Sequence, residues 1–351
     1  MKKLDLYFLI LLIFIPVTLV ADWVGVSPVY LFFVSALAII PLAKYIGEAT
    51  EELATHSNPA MGGFLNATFG NATELIIGIF SLRAGLIEVV KASITGSILG
   101  NLLLVLGMAM FFGGRRHKKQ EFNKTAASAS ASTLILTMIA FVIPAIFLTT
   151  DPGISDIVVE KLSISVSILM IIIYFSSLLF SLYSHKHLYT EEVGKYEPKW
   201  SISKSTIILI LATLGVATMS EILVSSINPI VTSLGWSPLF IGVIFVALIG
   251  NVAEHVSAIT VAMKNRMDLA IQITIGSATQ IAMLVAPLLV IFSLFFPTPM
   301  TLVFETFQLI TIILSVIVVS GVVQDGESNW FEGLQLMVAY AIMAVAFFFH
   351  P

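Results

Sequence analysis

The run Asn66-Ala67-Thr68-Phe69-Gly70-Asn71-Ala72-Thr73-Glu74-Leu75 decides how this chain is read, because its core returns as Gly250-Asn251-Val252-Ala253-Glu254. Gly96-Ser97 follows the first copy and Gly276-Ser277 follows the second. Both pieces recur at an offset of 180 residues, so the spacing from glutamate to glycine is the same in each. Each glutamate lies in a long apolar run. An ionised carboxylate at a bilayer centre costs about 2.5–3.5 kcal/mol on insertion scales. The duplicated acids therefore need a proton, a cation or a partner.

Composition places these runs in a membrane. The 351 residues are 58% hydrophobic and only 11% charged, against roughly 25% charged in soluble domains. Apolar runs of about 20 residues, enough to cross a bilayer, recur along the whole length. The absence of cysteine excludes disulfides, thiolate metal sites and haem attachment. No basic patch with interleaved aromatics supports nucleic-acid binding. Neither a phosphate loop nor a hydrolase motif is present, so an ATP-driven pump and an enzyme are unsupported. The reading is of an all-α polytopic protein with no resident cofactor.

Eleven transmembrane spans are expected, near 6–21, 28–46, 64–82, 90–112, 126–148, 162–183, 205–227, 238–263, 268–296, 302–323 and 331–349. The first, after Lys2 and Lys3, is read as a retained helix rather than a signal peptide. With the N-terminus inside and the loops alternating, 14 of the 17 Lys and Arg residues fall inside. Arg83, Lys91 and Lys161 fall outside. That asymmetry predicts a cytoplasmic N-terminus, an external C-terminus and a plasma-membrane location.

The two glutamates sit in spans three and eight, an odd number apart, so their helices cross in opposite directions. One extra N-terminal helix (1–27), a first five-helix repeat (28–183), a cytoplasmic linker (184–204) and a second five-helix repeat (205–351) account for the chain. Inverted repeats with a midplane site are a recurring transporter plan.

Gly70, Glu74 and Gly78 share one helix face, as do Gly250, Glu254 and Ala258. Asn71 and Asn251 stand three residues before each acid. Gly96, Ser97, Gly100 and Asn101 form a small polar seam, echoed by Gly276, Ser277 and Gln280. With Lys91 assigned to an outer loop, no Lys or Arg lies inside these four spans. Carboxylate, hydroxyl, amide and carbonyl oxygens suit a hard cation such as Ca2+, and two carboxylates balance its charge. When it leaves, protons relieve their repulsion. Glu74 and Glu254 are thus expected to bind Ca2+ or H+ in turn, the physical basis of antiport.

Glu221 and Glu305 are read as further acids inside spans, as proton-relay groups, a peripheral cation site or structural groups. His255 is a secondary candidate, read as a hydrogen-bonding or proton-shuttling neighbour of Glu254 rather than a ligand, since adjacent helix residues point about 100° apart. His56, His117, His185, His187 and His350 are read as solvated. Glu48, Glu51 and Glu52 form either a cation vestibule or a solvated helix end. The linker acids Glu191, Glu192 and Glu197 are read as part of a plain tether. Exchange of Mn2+, coupling to Na+, a passive channel and an intramembrane hydrolase remain alternatives. The lipid bilayer is the expected surrounding, and homo-oligomer formation stays open.

These motifs resemble those of the calcium/proton exchanger family, often called CAX, in the calcium/cation antiporter superfamily. Asn66 to Leu75 resembles its first repeat motif. Gly250-Asn251-Val252-Ala253-Glu254-His255 with Ala262-Met263-Lys264-Asn265, and then Gly276-Ser277-Ala278-Thr279-Gln280-Ile281, resemble its second. The resemblance implies helices broken near the glutamates, with carbonyls of Ala67, Gly70, Ala247 and Gly250 helping to hold the ion. It implies that Ser97, Asn101, Ser277 and Gln280 line the site, and that the first helix stands apart and slides during alternating access. The sodium/calcium branch resembles Gly-Ser-Asn-Ile-x-Asn in the first half and often has an additional Asp in the second. Here Gly96-Ser97-Ile98-Leu99-Gly100-Asn101 and Gln280-Ile281 depart from it, which favours protons as counter-ion.

Overall fold

The computed structural model describes residues 3–57, 59–150, 153–184 and 198–350. The expected linker tether, with Glu191, Glu192, Glu197, His185 and His187, lies outside the described residues.

Helix follows helix. The first half runs α1 Lys3–Leu11, α2 Phe14–Val24, α3 Pro28–Thr55, α4 Pro59–Phe69, α5 Ala72–Arg83, α6 Ile87–Leu99, α7 Leu106–Arg116, α8 Lys124–Thr150 and α9 Asp156–Leu179. The second runs α10 Ile202–Ser225, α11 Ile227–Leu234, α12 Pro238–Phe240, α13 Ala247–Gly250, α14 Val252–Ala262, α15 Met267–Gln280, α16 Ala286–Ser293, α17 Thr306–Val322 and α18 Trp330–Phe349. π-helical turns join α6 to α7 (Gly100–Val105), α12 to α13 (Ile241–Val246) and α15 to α16 (Ile281–Val285). The termini carry local signals. Gly25 ends α2 in the left-handed region at φ 76°, and Pro28 opens α3. Asn329 and Glu332 form a reciprocal capping box on α18.

Eight helices among the described residues are long and apolar enough to cross a membrane, and the bent pair Pro238–Gly250 and Val252–Ala262 makes nine. Length and apolarity therefore do not reach the expected eleven. The other two places hold α4 with α5, broken at Gly70-Asn71, and the 17-residue α17.

The repeat appears in the element boundaries. Adding 180 to the first residues of α5 and α6 gives those of α14 and α15. The two copies run in opposite directions. The helix from Ile87 to Arg116 is nearly unbroken, and its ends mark two faces of the molecule. Near its start, Lys91 Nζ donates to the Val303 carbonyl at 2.6 Å, and α5 ends at Arg83, just before it. Past its far end, Gln120 Nε2 donates to the carbonyl of Ala262, the last residue of α14, at 2.8 Å. Other loop contacts respect the same two faces. Gln120–Glu121 (β1) pairs antiparallel with Glu327–Ser328 (β2), and Lys119 bridges Glu327 and, at 3.2 Å, Glu121. These hydrogen bonds raise the affinity of the Lys119 ammonium for its proton above the ordinary lysine value.

Two apolar cores flank the centre. One gathers Leu102, Leu106 and Met110 with Ile281 and Val316. The other packs α3 on α10 through Phe32, Ile39, Val216 and Leu223. The first apolar segment, Leu6–Val24, packs on α3 and α10 and leaves most of its surface exposed.

Candidate functional site

Both motif helices break where the sequence places Gly-Asn. Asn71 (φ −107°, ψ 28°) and Asn251 (φ −98°, ψ 9°) leave helical geometry between the half-helices. A break strands backbone groups that a continuous helix would pair. Side chains engage part of them: Asn251 Nδ2 donates to the Ala247 carbonyl at 2.9 Å. Gly70 and Gly250 lie at the breaks, and Ala67 lies in the last turns of α4.

The expected polar residues meet in one buried network that crosses between the repeats. Asn71 Nδ2 donates to Gln280 Oε1 at 2.6 Å, and Ser277 Oγ donates to Asn71 Oδ1 at 3.4 Å. Reciprocally, Asn251 Nδ2 donates to Ser97 Oγ at 2.9 Å. Asn101 Nδ2 donates to Asn251 Oδ1 at 3.0 Å and to Ser277 Oγ at 3.1 Å. First-half residues thus hold second-half residues around the centre.

The carboxylates lie beside this network without joining it. Glu74 crosses Gly250 so closely that a methyl group there would stand 3.1 Å from Oε1. Both Glu74 oxygens, Glu254 Oε2 and Asn101 Oδ1 are buried without a hydrogen-bond partner. Glu254 is near enough to repel Glu74. Such groups are costly to leave unpaired, and each is an acceptor that a cation or a proton would satisfy. No group of three or more Asp, Glu, His or Cys side chains able to hold a metal occurs among the described residues. A bound cation would therefore rely on two acids and neutral oxygens.

Lys91, counted to an outer loop, is the fifth residue of the α6 span, but it serves Val303 rather than either glutamate. His255 is 8% exposed with Nε2 unpartnered. Glu221 falls within the Ile202–Leu234 span, as expected, whereas Glu305 stands at a helix end rather than inside one. Glu221 is exposed near the end of α10, 3.7 Å from Arg83, and Glu305 is the N-cap of α17. Capping accounts for Glu305, which an apolar sequence window cannot separate from a mid-span position, and the Arg83 contact accounts for Glu221. The vestibule reading is also revised. Glu52 is buried and accepts from the Lys199 and Trp200 amides at 2.8 and 3.0 Å, while Glu48 pairs with Lys44. Three histidines read as solvated have partners: His56 meets the Trp200 carbonyl, His117 the Met263 carbonyl, and His350 stacks on Phe307. Sequence reasoning passed over Tyr174, whose buried hydroxyl lies beside Gln280. A lone tyrosine in an apolar span carries no spacing signal.

Oppositely directed broken helices crossing over a shared polar network define a multi-pass membrane transporter. The chain belongs to the sodium/calcium exchanger protein family, whose model matches residues 27–183 and 204–349. It is 46% identical to the Ca(2+)/H(+) antiporter ChaA of Bacillus subtilis, over 98% of this chain and 99% of that one. It is 45% identical to a Ca(2+)/H(+) antiporter of Synechocystis, over 98% and 97%. The solved structure of native YfkE superposes with a TM-score of 0.87 at 44% identity, covering 98% of this chain and all of that one. At that identity YfkE is a relative.

Proposed function

We propose that this chain exchanges Ca2+ for H+ across the plasma membrane, moving cytosolic Ca2+ outward against inward protons. One observation carries the reading: two acids from opposite repeats, Glu74 and Glu254, share a buried centre in which both Glu74 oxygens and Glu254 Oε2 lack protein partners. Two carboxylates neutralise one divalent ion or take up two protons, so the cargoes compete for the same oxygens. Asn71, Asn251, Ser97, Ser277, Asn101 and Gln280 supply the neutral oxygens or hold them in place. Carbonyls of Ala67, Gly70, Ala247 and Gly250 complete the candidate set. His255 stays a neighbour of the acid. The names of the 45–46% identical relatives support the ion pair. The inside-positive loops support a cytoplasmic N-terminus.

Proteoliposomes test this. An imposed proton gradient is expected to drive Ca2+ uphill, and Glu74→Gln or Glu254→Gln is expected to abolish that flux. Wild-type coupled flux in either variant would overturn the assignment of the acids. Ca2+ movement indifferent to collapse of the gradient would favour a channel, and a requirement for Na+ would change the counter-ion.

A further inference from the structure

Tyr174 stands outside the motif helices, in α9, and the exchange reading leaves it unused. It is 2% exposed and packs among Ala140, Met170, Met283 and Leu284, the last two in the π-helical turn directly after Gln280. Its hydroxyl is buried, lies beside the Gln280 side chain, and stops short of a formed hydrogen bond. A buried hydroxyl is costly when stranded, and phenylalanine would fill the same space without that cost. The oxygen therefore calls for a polar task, and Gln280 is the group beside it.

A glutamine amide has two unlike ends, a carbonyl that accepts and an NH2 that donates. The Gln280 carbonyl is engaged by Asn71 Nδ2 at 2.6 Å. Its NH2 then points away from Asn71, and the nearby phenol oxygen is an acceptor of the matching kind. Reversal of Gln280 would set its NH2 against the Asn71 NH2. Asn71 would have to turn as well, exchanging its ends. Asn71 Oδ1 is held only by the long 3.4 Å bond from Ser277, so, like the unpartnered Asn101 Oδ1, it is readily turned over to a cation. Reversal would present a donor there instead.

We propose that Tyr174 is a positioning residue for ion binding: its hydroxyl sets the direction of the Gln280 amide and so keeps the Asn71 carbonyl available to the cation. This rests on the exchange reading of the site, and it adds a residue from a helix outside the duplicated motifs. Tyr174 also ties the site to α4. Its ring packs edge-on against Phe175 at 5.7 Å, and Phe175 stacks on Phe64 of α4.

The test is Tyr174→Phe in the full-length protein, which removes one oxygen and keeps the packing. The expected result is a rise in the KM for Ca2+ of about three- to tenfold, with maximal rate and thermal unfolding temperature retained. A merely structural role would lower the unfolding temperature and leave KM in place. A second readout uses protein labelled with 15N-glutamine: the Gln280 side-chain NH2 signals should move in Tyr174→Phe. An unchanged KM together with unmoved signals overturns the proposal. Glu74→Gln in the same assay separates the two claims. Normal Ca2+ binding there sinks the exchange reading, whereas a silent Tyr174→Phe beside a disabled Glu74→Gln sinks this inference alone.

Discussion

Gly96 and Gly276 occupy equivalent places in the two repeats and have opposite surroundings. A methyl group added at Gly96 would strike the backbone of Val243, whereas one added at Gly276 would meet nothing within 4 Å. The neighbouring half-helices differ in the same way. Gly242 is pressed against Ala92, and the Ile241–Val246 turn packs along α6. Its counterpart pair, Gly62 and Gly63, leans instead on Ala54 of α3 and on Leu182. Met61 and Phe64 of α4 are about half exposed. A duplicated sequence has thus adopted two packings at once: one half-helix is seated on its partner and the other is not. Closely matched sequences fix what the two seats can be, while the state of the molecule fixes which one is filled.

The largest expected effect breaks this comparison directly. Gly96→Ala should destabilise the protein by about 1–3 kcal/mol or more, because backbone rather than a flexible side chain must yield. Gly276→Ala, whose methyl group has room, should unfold no lower than the wild-type temperature. Thermal unfolding of the two purified variants decides the matter, and equal losses would mean that the seats are not distinct.

The network offers a smaller contrast. Asn251 joins Ser97, Asn101 and the Ala247 carbonyl, whereas Asn71 joins Gln280 and, weakly, Ser277. Asn251→Leu should therefore cost more stability than Asn71→Leu, with about 1–3 kcal/mol for each polar group left buried and unpaired. Denaturation of both variants in the same detergent checks the order, and a larger loss for Asn71→Leu would contradict it.

The smallest effect concerns the exposed strand pair. The proton affinity of Lys119 is raised by Glu327 and Glu121. Its contribution is therefore complete below the ordinary lysine value of 10.5 and fades as pH rises through the higher folded value. Lys119→Met should leave transport unchanged and remove only that alkaline dependence of stability. A transport defect at neutral pH would show that the strand pair does more than tie two loops.

Much of the fold was legible because duplication leaves a numerical trace. The offset of 180 found in Gly-Asn-x-x-Glu reappears in the first residues of α5 with α14 and α6 with α15. The polar partners were legible too, since Asn71, Ser97, Asn101, Asn251, Ser277 and Gln280 are conspicuous in apolar helices. Their cross-pairing was not, because which amide meets which hydroxyl depends on helix rotation. Glu305 was misplaced since hydropathy locates a span better than its ends. The unequal seats of Gly96 and Gly276 had no sequence signal at all. A repeat must be able to form both packings, so its residues cannot declare one of them.

The unpartnered oxygens of Glu74 and Glu254 also bear on the fidelity of coupling. A centre with neither cation nor protons would hold two bare, mutually repelling charges in a dry interior, the least favourable of its charge states. Rearrangement through that state would be the slippage that lets one ion run downhill without moving the other. Among the described residues no lysine or arginine forms an ion pair with either acid, so in the proposed exchange the vacant crossing would be the rarest one. Tight exchange would then need no dedicated lock, because the centre itself would discourage an idle turnover.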